Sequence, residues 1–209
     1  MNNIDKLWMN PTSPSEYAKG YIKYVTALLN NLDTESVGAL IENLKRARED
    51  ENTVFIIGNG GSASTASHMA NDIGLDVLKK SGTDRPFKVL SLTDNNSVLT
   101  AICNDDGYEN LFLYQLKILY KPGDKLIAIS VSGNSPNVVC AAEWVKAQGG
   151  TVMGLGGFDG GQLKELCDVF ILVETLNGEY GPVEDVHLVI DHLIANYLLS
   201  FVKAEKENK

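Results

Sequence analysis

Five short apolar runs, each followed by a turn rich in Gly, Ser or Asp and then a helical pattern, constrain this chain more than any other feature. They span residues 53–57, 88–92, 125–129, 151–155 and 169–173. None shows the polar alternation of a strand with one wet face. Such runs suit strands buried on both sides, as in a parallel sheet covered by helices. Strand, turn and helix repeated five times predict an α/β class: a three-layer, doubly wound, five-stranded parallel sheet. Two helices precede it. The first starts at Ser13-Pro14-Ser15-Glu16, with Tyr17, Tyr21, Tyr24, Val25 and Leu28 following. The second covers about residues 34–48, with Val37, Leu40, Ile41 and Leu44 on one face. A long helix over about residues 182–205 ends the pattern, with Pro182 suited to the first helical position. Residues 205–209 read as a polar tail.

At 209 residues the chain fits one domain, residues 1–209: a helical extension to about residue 50, then the α/β core over about 51–209. With 18 Lys+Arg against 27 Asp+Glu, the net charge of −9 excludes the basic footprint that duplex nucleic acid requires. It equally excludes a polybasic membrane-surface segment. An anionic ligand must therefore be held by amides, hydroxyls or a metal. Cys103, Cys140 and Cys167 are odd in number, far apart and set among apolar residues, which suits small buried hydrophobes in a reducing compartment. The first residues lack a leader pattern, and no stretch approaches ~18 uninterrupted apolar residues. The expectation is a cytoplasmic protein with no nucleic-acid or membrane partner.

Two loops are suited to a phosphate. The first run ends in Gly58-Asn59-Gly60-Gly61-Ser62 and leads straight into a helix. Its glycines allow a sharp turn and close backbone approach, and the helix start offers free N–H groups. The spacing matches neither a dinucleotide fingerprint nor a Walker A loop. The third run ends in Ser130-Val131-Ser132-Gly133-Asn134-Ser135-Pro136-Asn137, a nest of hydroxyls and amides. In a flavodoxin-like order, 2-1-3-4-5, strands one and three flank the switch point where open α/β sheets bind ligands.

The three histidines fall in helical patterns. His68 and Asp72 are four apart and share a helix face. In the last helix Glu184, Asp185, His187, Asp191 and His192 crowd together. Glu184 and His192, eight apart, are separated by about 80° around the axis. Imidazoles and carboxylates on two facing helices could bind a divalent metal, or could supply the acid and base of a proton shuttle. His187 fits a hydrogen-bonded structural residue better.

Three segments together carry a resemblance. Residues 58–63 (GNGGSA), 92–112 (LTDNNSVLTAICNDDGYENLF) and 129–138 (ISVSGNSPNV) closely resemble the sugar isomerase (SIS) superfamily, and within it the phosphoheptose isomerases. The likeness extends from about Tyr17 to Phe201. It implies that Ser62, Ser130, Ser132 and Ser135 hold a substrate phosphate, with Gly60, Gly61 and Asn137 in the same two loops. It further implies Asn59 near the sugar and Asp94 and Ser97 lining the crevice. The family carries His-x-x-x-Glu after the first loop and Gln-Glu-x-His-x-x-x-x-His in the last helix. The resemblance thus implies a metal set of His68, Asp72, Glu184 and His192, with zinc the expected ion, and a proton-transfer pair of Asp72 and His192. Asp72 stands where the family has Glu, Glu184 where it has Gln, and Val131 replaces a hydroxyl residue.

The implied activity is aldose–ketose isomerisation of a phosphosugar through an enediol(ate), with sedoheptulose 7-phosphate giving glycero-manno-heptose 7-phosphate. Such a product points to cell-surface polysaccharide synthesis. The competing reading is a non-catalytic sugar-phosphate-binding or replication-initiator-associating member; the retained His192 favours an enzyme. Isomerisation of another phosphosugar, or an etherase-like lyase, remains a second alternative. The resemblance implies a homotetramer with sites between subunits, an arrangement in which His68/Asp72 and Glu184/His192 could come from different chains.

Overall fold

Each apolar run becomes a strand: β1 (Thr53–Gly58), β2 (Lys88–Ser91), β3 (Lys125–Ser130), β4 (Thr151–Phe158) and β5 (Val169–Glu174). The computed structural model describes residues 1–9 and 13–207. The strands pair in parallel in the order β2-β1-β3-β4-β5. β1 and β3 are thus neighbours, with Val54 opposite Lys125 and Gly58 opposite Ile129.

Successive residues alternate between two cores. Val54 and Ile56 of β1, Ile127 and Ile129 of β3, and Met153 and Leu155 of β4 face one. Phe55, Ile57, Leu126, Ala128 and Val152 face the other. Burial on both faces explains the unbroken apolar character of these three strands. β2 and β5 lie at the sheet edges and are only half covered; Leu90 is 43% exposed. The expectation of two buried faces therefore fails for them, because an edge strand has one neighbour and less helix over it.

The first core is covered by α2 (Pro14–Asn30), α3 (Thr34–Glu49), α4 (Gly61–Met69), α5 (Val77–Ser81) and α10 (Tyr180–Glu207). The second is covered by α7 (Leu113–Leu119), α8 (Pro136–Ala147) and α9 (Gly161–Leu166), with α6 (Asn96–Asp105) at its margin. A short α1 (Asn3–Met9) precedes them. Local chemistry sets the helix starts. The Ser13 hydroxyl accepts from the Glu16 N–H, with Pro14 at the first helical position. Asp33 accepts from the N–H groups of Glu35 and Ser36. α10 begins two residues earlier than expected, at Tyr180, so Pro182 lies third in the helix. Proline has no N–H to leave unpaired, and an N–H in the first turn would have no intrahelical acceptor, so the position costs little.

The turn before α10 is pinned by Glu179, a carboxylate only 1% exposed. It accepts from the Tyr24 hydroxyl, the Asn3 N–H and, at 3.3 Å, the Leu176 N–H. By length and composition α10 could cross a membrane. Here Val183, Val186, Ile190, Ile194, Leu198 and Val202 are buried in the first core. Of the polar tail, residues 205–207 extend α10; Asn208 and Lys209 lie outside the described residues. The three cysteines are half-buried and unbridged. Burial pushes the Cys167 thiol up to about 12, so it is an inert packing group.

Candidate functional site

The loop after β1 and the loop after β3 stand side by side because their strands do. Two amides tie them. Asn59 Nδ2 donates to Asn137 Oδ1 at 2.8 Å, and Asn137 Nδ2 donates back to Asn59 Oδ1 at 2.9 Å. The Tyr108 hydroxyl, not anticipated from sequence, adds a 2.8 Å bond to Asn59 Oδ1. Asn137 is wholly buried and also accepts from the Val138 N–H, so the pair is held rigidly. Beside Asn59 and Gly60 lies a cavity of about 250 Å³, bounded by Thr93, Leu99, Thr100 and Tyr108.

Ser62 lies at the start of α4, buried, with Gly60 at φ +53° making the turn into the helix. Ser130 and Ser135 hydroxyls are 3.3 Å apart across the second loop, and Ser132 Oγ accepts from the Asn134 N–H. Val131 is 4% exposed and packs in the first core, so its side chain is withdrawn from the loop surface. Asp94 accepts from the hydroxyls of Ser67 at 2.5 Å, Thr93 at 3.1 Å and Ser91 at 3.4 Å. It therefore fastens the loop after β2 to α4. Ser97 is exposed in the first turn of α6; the cavity wall from that segment is Thr93, Leu99 and Thr100.

Two turns further along α4 lies a group of four possible metal ligands: His68, Asp72, Asp191 and His192, with one donor atom from each within 4.8 Å of the others. The carboxylate of Asp72 faces both imidazoles. Oδ1 is 3.8 Å from His68 Nε2 and Oδ2 is 3.9 Å from His192 Nε2. The shorter aspartate side chain thus spans both histidines. It sits in a π-helical stretch, Ala70–Asp76, where the Val77 N–H reaches back five residues to the Asp72 carbonyl. The wider turn was not foreseen; single π turns of this kind recur at functional sites. The His68 and His192 rings meet edge to face, centroids 5.0 Å apart.

Of the residues named from sequence for a cation, His68, Asp72 and His192 lie in this group and Glu184 does not. Its carboxylate packs on Gly61, where an added Cβ would lie 2.3 Å from Cδ and both carboxylate oxygens. The correction has a geometric cause. Glu184 meets Gly61, and seven residues on in each helix Asp191 meets His68. α10 and α4 therefore run alongside each other in the same direction, and seven residues is about 10 Å of rise. Burial, then the charge of Asp185, raises the Glu184 carboxyl above its usual range. Within one chain His68, Asp72 and His192 already lie together.

Asp191 is 0% exposed, and neither carboxylate oxygen has a hydrogen-bond partner. Burial, and then the charge of Asp72, pushes it up to about 7, with His192 opposing. A buried carboxylate without a donor calls for a cation or a proton. Two imidazoles and two carboxylates within one small volume are the donor chemistry of a zinc-like divalent ion.

His187 is wholly buried, its Nε2 3.2 Å from the Gly156 carbonyl, and burial holds it down at about 4. It stands apart from the group as a core residue. Unfolding returns it to its ordinary value of 6.5, so the unfolded chain takes up a proton that the folded chain refuses. Its contribution is complete above about pH 6.5 and is lost as pH falls toward about 4. Asp191 titrates with the opposite sign, so the test is a difference. Relative to His187→Gln, the wild-type chain should lose about 2 kcal/mol between pH 7 and pH 5 in urea unfolding.

Comparison with known proteins supplies the remaining evidence. The SIS domain family matches residues 20–157. The chain is 36% identical over 166 residues to the phosphoheptose isomerase of Trichlorobacter lovleyi, covering 79% of this chain and 82% of that one. It is 41% identical over 142 residues to that of Burkholderia pseudomallei, covering 68% and 69%. The solved phosphoheptose isomerase of Neisseria gonorrhoeae superposes with a TM-score of 0.78 at 26% identity, covering 90% of this chain and all of that one.

Proposed function

The chain belongs to the SIS-domain family, in its phosphoheptose isomerase branch, and from that membership we infer its reaction: the aldose–ketose isomerisation of sedoheptulose 7-phosphate to glycero-manno-heptose 7-phosphate. The observation that carries the reading is Asp72 set between His68 and His192, one α4 face beyond a phosphate-type loop. Phosphate held by Ser62, Ser130, Ser132, Ser135 and the amides at the start of α4 anchors C7 of the sugar. Asn59 and Asn137 orient the chain of hydroxyls that follows. One of Asp72 and His192 removes a proton from C1, beside the C2 carbonyl. The electron pair passes into an enediolate, and the other group delivers a proton to C2 while O1 gives up its proton and O2 gains one. Which of the two is base depends on the charge state of the loaded site.

His68, Asp72 and His192 would hold a zinc ion, and zinc when bound polarises the carbonyl and stabilises the enediolate. The His68 and His192 side chains are 40% and 51% exposed, which leaves both accessible to a substrate. The exposed apolar row Leu188, Val189, Leu193 and Tyr197 on α10 supports a homotetramer of one-domain subunits. A cytoplasmic enzyme feeding cell-surface polysaccharide synthesis fits the same membership. The direct test supplies sedoheptulose, with and without its 7-phosphate and with and without a chelator. Aldose should form from the phosphate ester alone and fall on chelation. Absence of product from heptose, hexose and pentose phosphates, with or without zinc, would contradict the enzyme reading.

A further inference from the structure

Two polar groups at the centre of the site are buried and lack hydrogen-bond partners: His68 Nδ1 and the carboxylate of Asp191. They face each other, Nδ1 to Oδ2, at 3.1 Å. The distance is that of a hydrogen bond, while the ring as it stands is out of line for one. A small ring rotation satisfies both at once, and buried groups of this kind are rarely left unmade. When ionised the carboxylate only accepts, so Nδ1 is then the donor. The other nitrogen, Nε2, then carries its lone pair on the side of Asp72 Oδ1, 3.8 Å away.

We propose that Asp191 is a positioning residue: it accepts from His68 Nδ1–H, fixes the imidazole as the Nδ1–H tautomer, and aims the Nε2 lone pair at the ion held with Asp72 and His192. This deepens the function proposed above and rests on that site. Asp191 differs from the three ligands in two ways. It is fully buried while His68 and His192 are open to solvent, and it approaches His68 from the ring edge opposite to Asp72. Metal-bound histidines commonly donate their second nitrogen to a carboxylate in this manner, and loss of such a partner weakens metal binding about 10–100-fold. The parallel course of α4 and α10 supplies the pairing, since the offset that seats Glu184 on Gly61 seats Asp191 on His68. The arrangement also accounts for a charged residue directly after the run Leu188-Val189-Ile190, where the helix would otherwise present aliphatic surface to α4.

The test needs no substrate, so its failure is separable from that of the isomerase reading. With only three histidines in the chain, nitrogen-15 labelling and NMR at alkaline pH can assign each ring in the metal-free protein. His68 should be the Nδ1–H tautomer in the wild-type chain and should revert to Nε2–H in Asp191→Leu. Asp191→Asn should keep the Nδ1–H tautomer, because the amide oxygen still accepts, yet bind zinc at least tenfold more weakly in chelator competition. A space-filling Asp191 would not separate the two variants in this way. An Nε2–H tautomer in the wild-type protein, or a tautomer indifferent to Asp191→Leu, would overturn the proposal. Should Asp191→Leu fail to fold, an unchanged zinc affinity in Asp191→Asn overturns it equally.

Discussion

His192→Ala is expected to lower the isomerisation rate of sedoheptulose 7-phosphate by a factor of about 10²–10⁴, the usual worth of a positioned acid or base. The expected change in stability is small, within about 0.5 kcal/mol, because the side chain is half exposed and lies outside both cores. Rate and fold should therefore separate cleanly. Asp72→Asn should lose activity to a similar extent, since it removes the negative charge that both imidazoles face. Asp72→Glu should instead stay within about tenfold of wild type. It keeps the carboxylate, and the π-helical turn around residue 72 leaves room to adjust its reach. Retention of near wild-type rates in both His192→Ala and Asp72→Asn would move the chemistry elsewhere in the crevice.

Gly133→Ala should be the most damaging single methyl group in the second loop. The backbone there is left-handed, φ +64°, and an added Cβ would lie 1.9 Å from the Gly160 carbonyl oxygen. That oxygen belongs to a neighbouring loop that cannot withdraw alone. The Leu163 N–H donates to the Gly133 carbonyl at 2.9 Å, and the Gln162 N–H to Asn134 Oδ1 at 3.1 Å. The backbone strain alone costs about 1–2 kcal/mol. Prising the two loops apart adds more, for a total of about 4 kcal/mol. Gly149→Ala is the control: its φ is +74°, but nothing lies within 4 Å of the added carbon. Urea unfolding should show only the strain at Gly149 and the larger loss at Gly133. Equal losses would mean the two loops do not interlock as described. Because Ser130, Ser132 and Ser135 flank Gly133, the same variant should also weaken capture of the phosphate ester.

Much of this architecture was written in local sequence. The five apolar runs become the five strands because β1, β3 and β4 have no wet face to advertise, and their glycine-bearing ends mark where the chain turns into helices. The Ser13 and Asp33 caps are legible for the same local reason. What stayed hidden depended on how helices pack. Residues 70–76 carry no signal for a π turn beyond Gly74, since the turn is set by what α4 and α10 must bring together. Asp191 stood in view among the acidic and histidine residues of the last helix. Its partner could not be read, because a heptad offset between two parallel helices is a tertiary fact. The ligand role of Glu184 came with the family resemblance; its seat against Gly61 is set by its position along the helix axis, which the sequence pattern does not show. Tyr108 had no periodic pattern to flag it; only the meeting of the loop after β1 with the segment after α6 gives its hydroxyl a partner.

The central claim is proton transfer through an enediolate at Asp72 and His192. Its most direct measurement is the isomerisation of sedoheptulose 7-phosphate in deuterium oxide, with the product examined by NMR for the label at C2. The account predicts deuterium at C2 of the aldose and its loss, with the activity, in His192→Ala. Product formed at full rate with only protium at C2 would indicate direct hydrogen migration from C1 and would contradict the account.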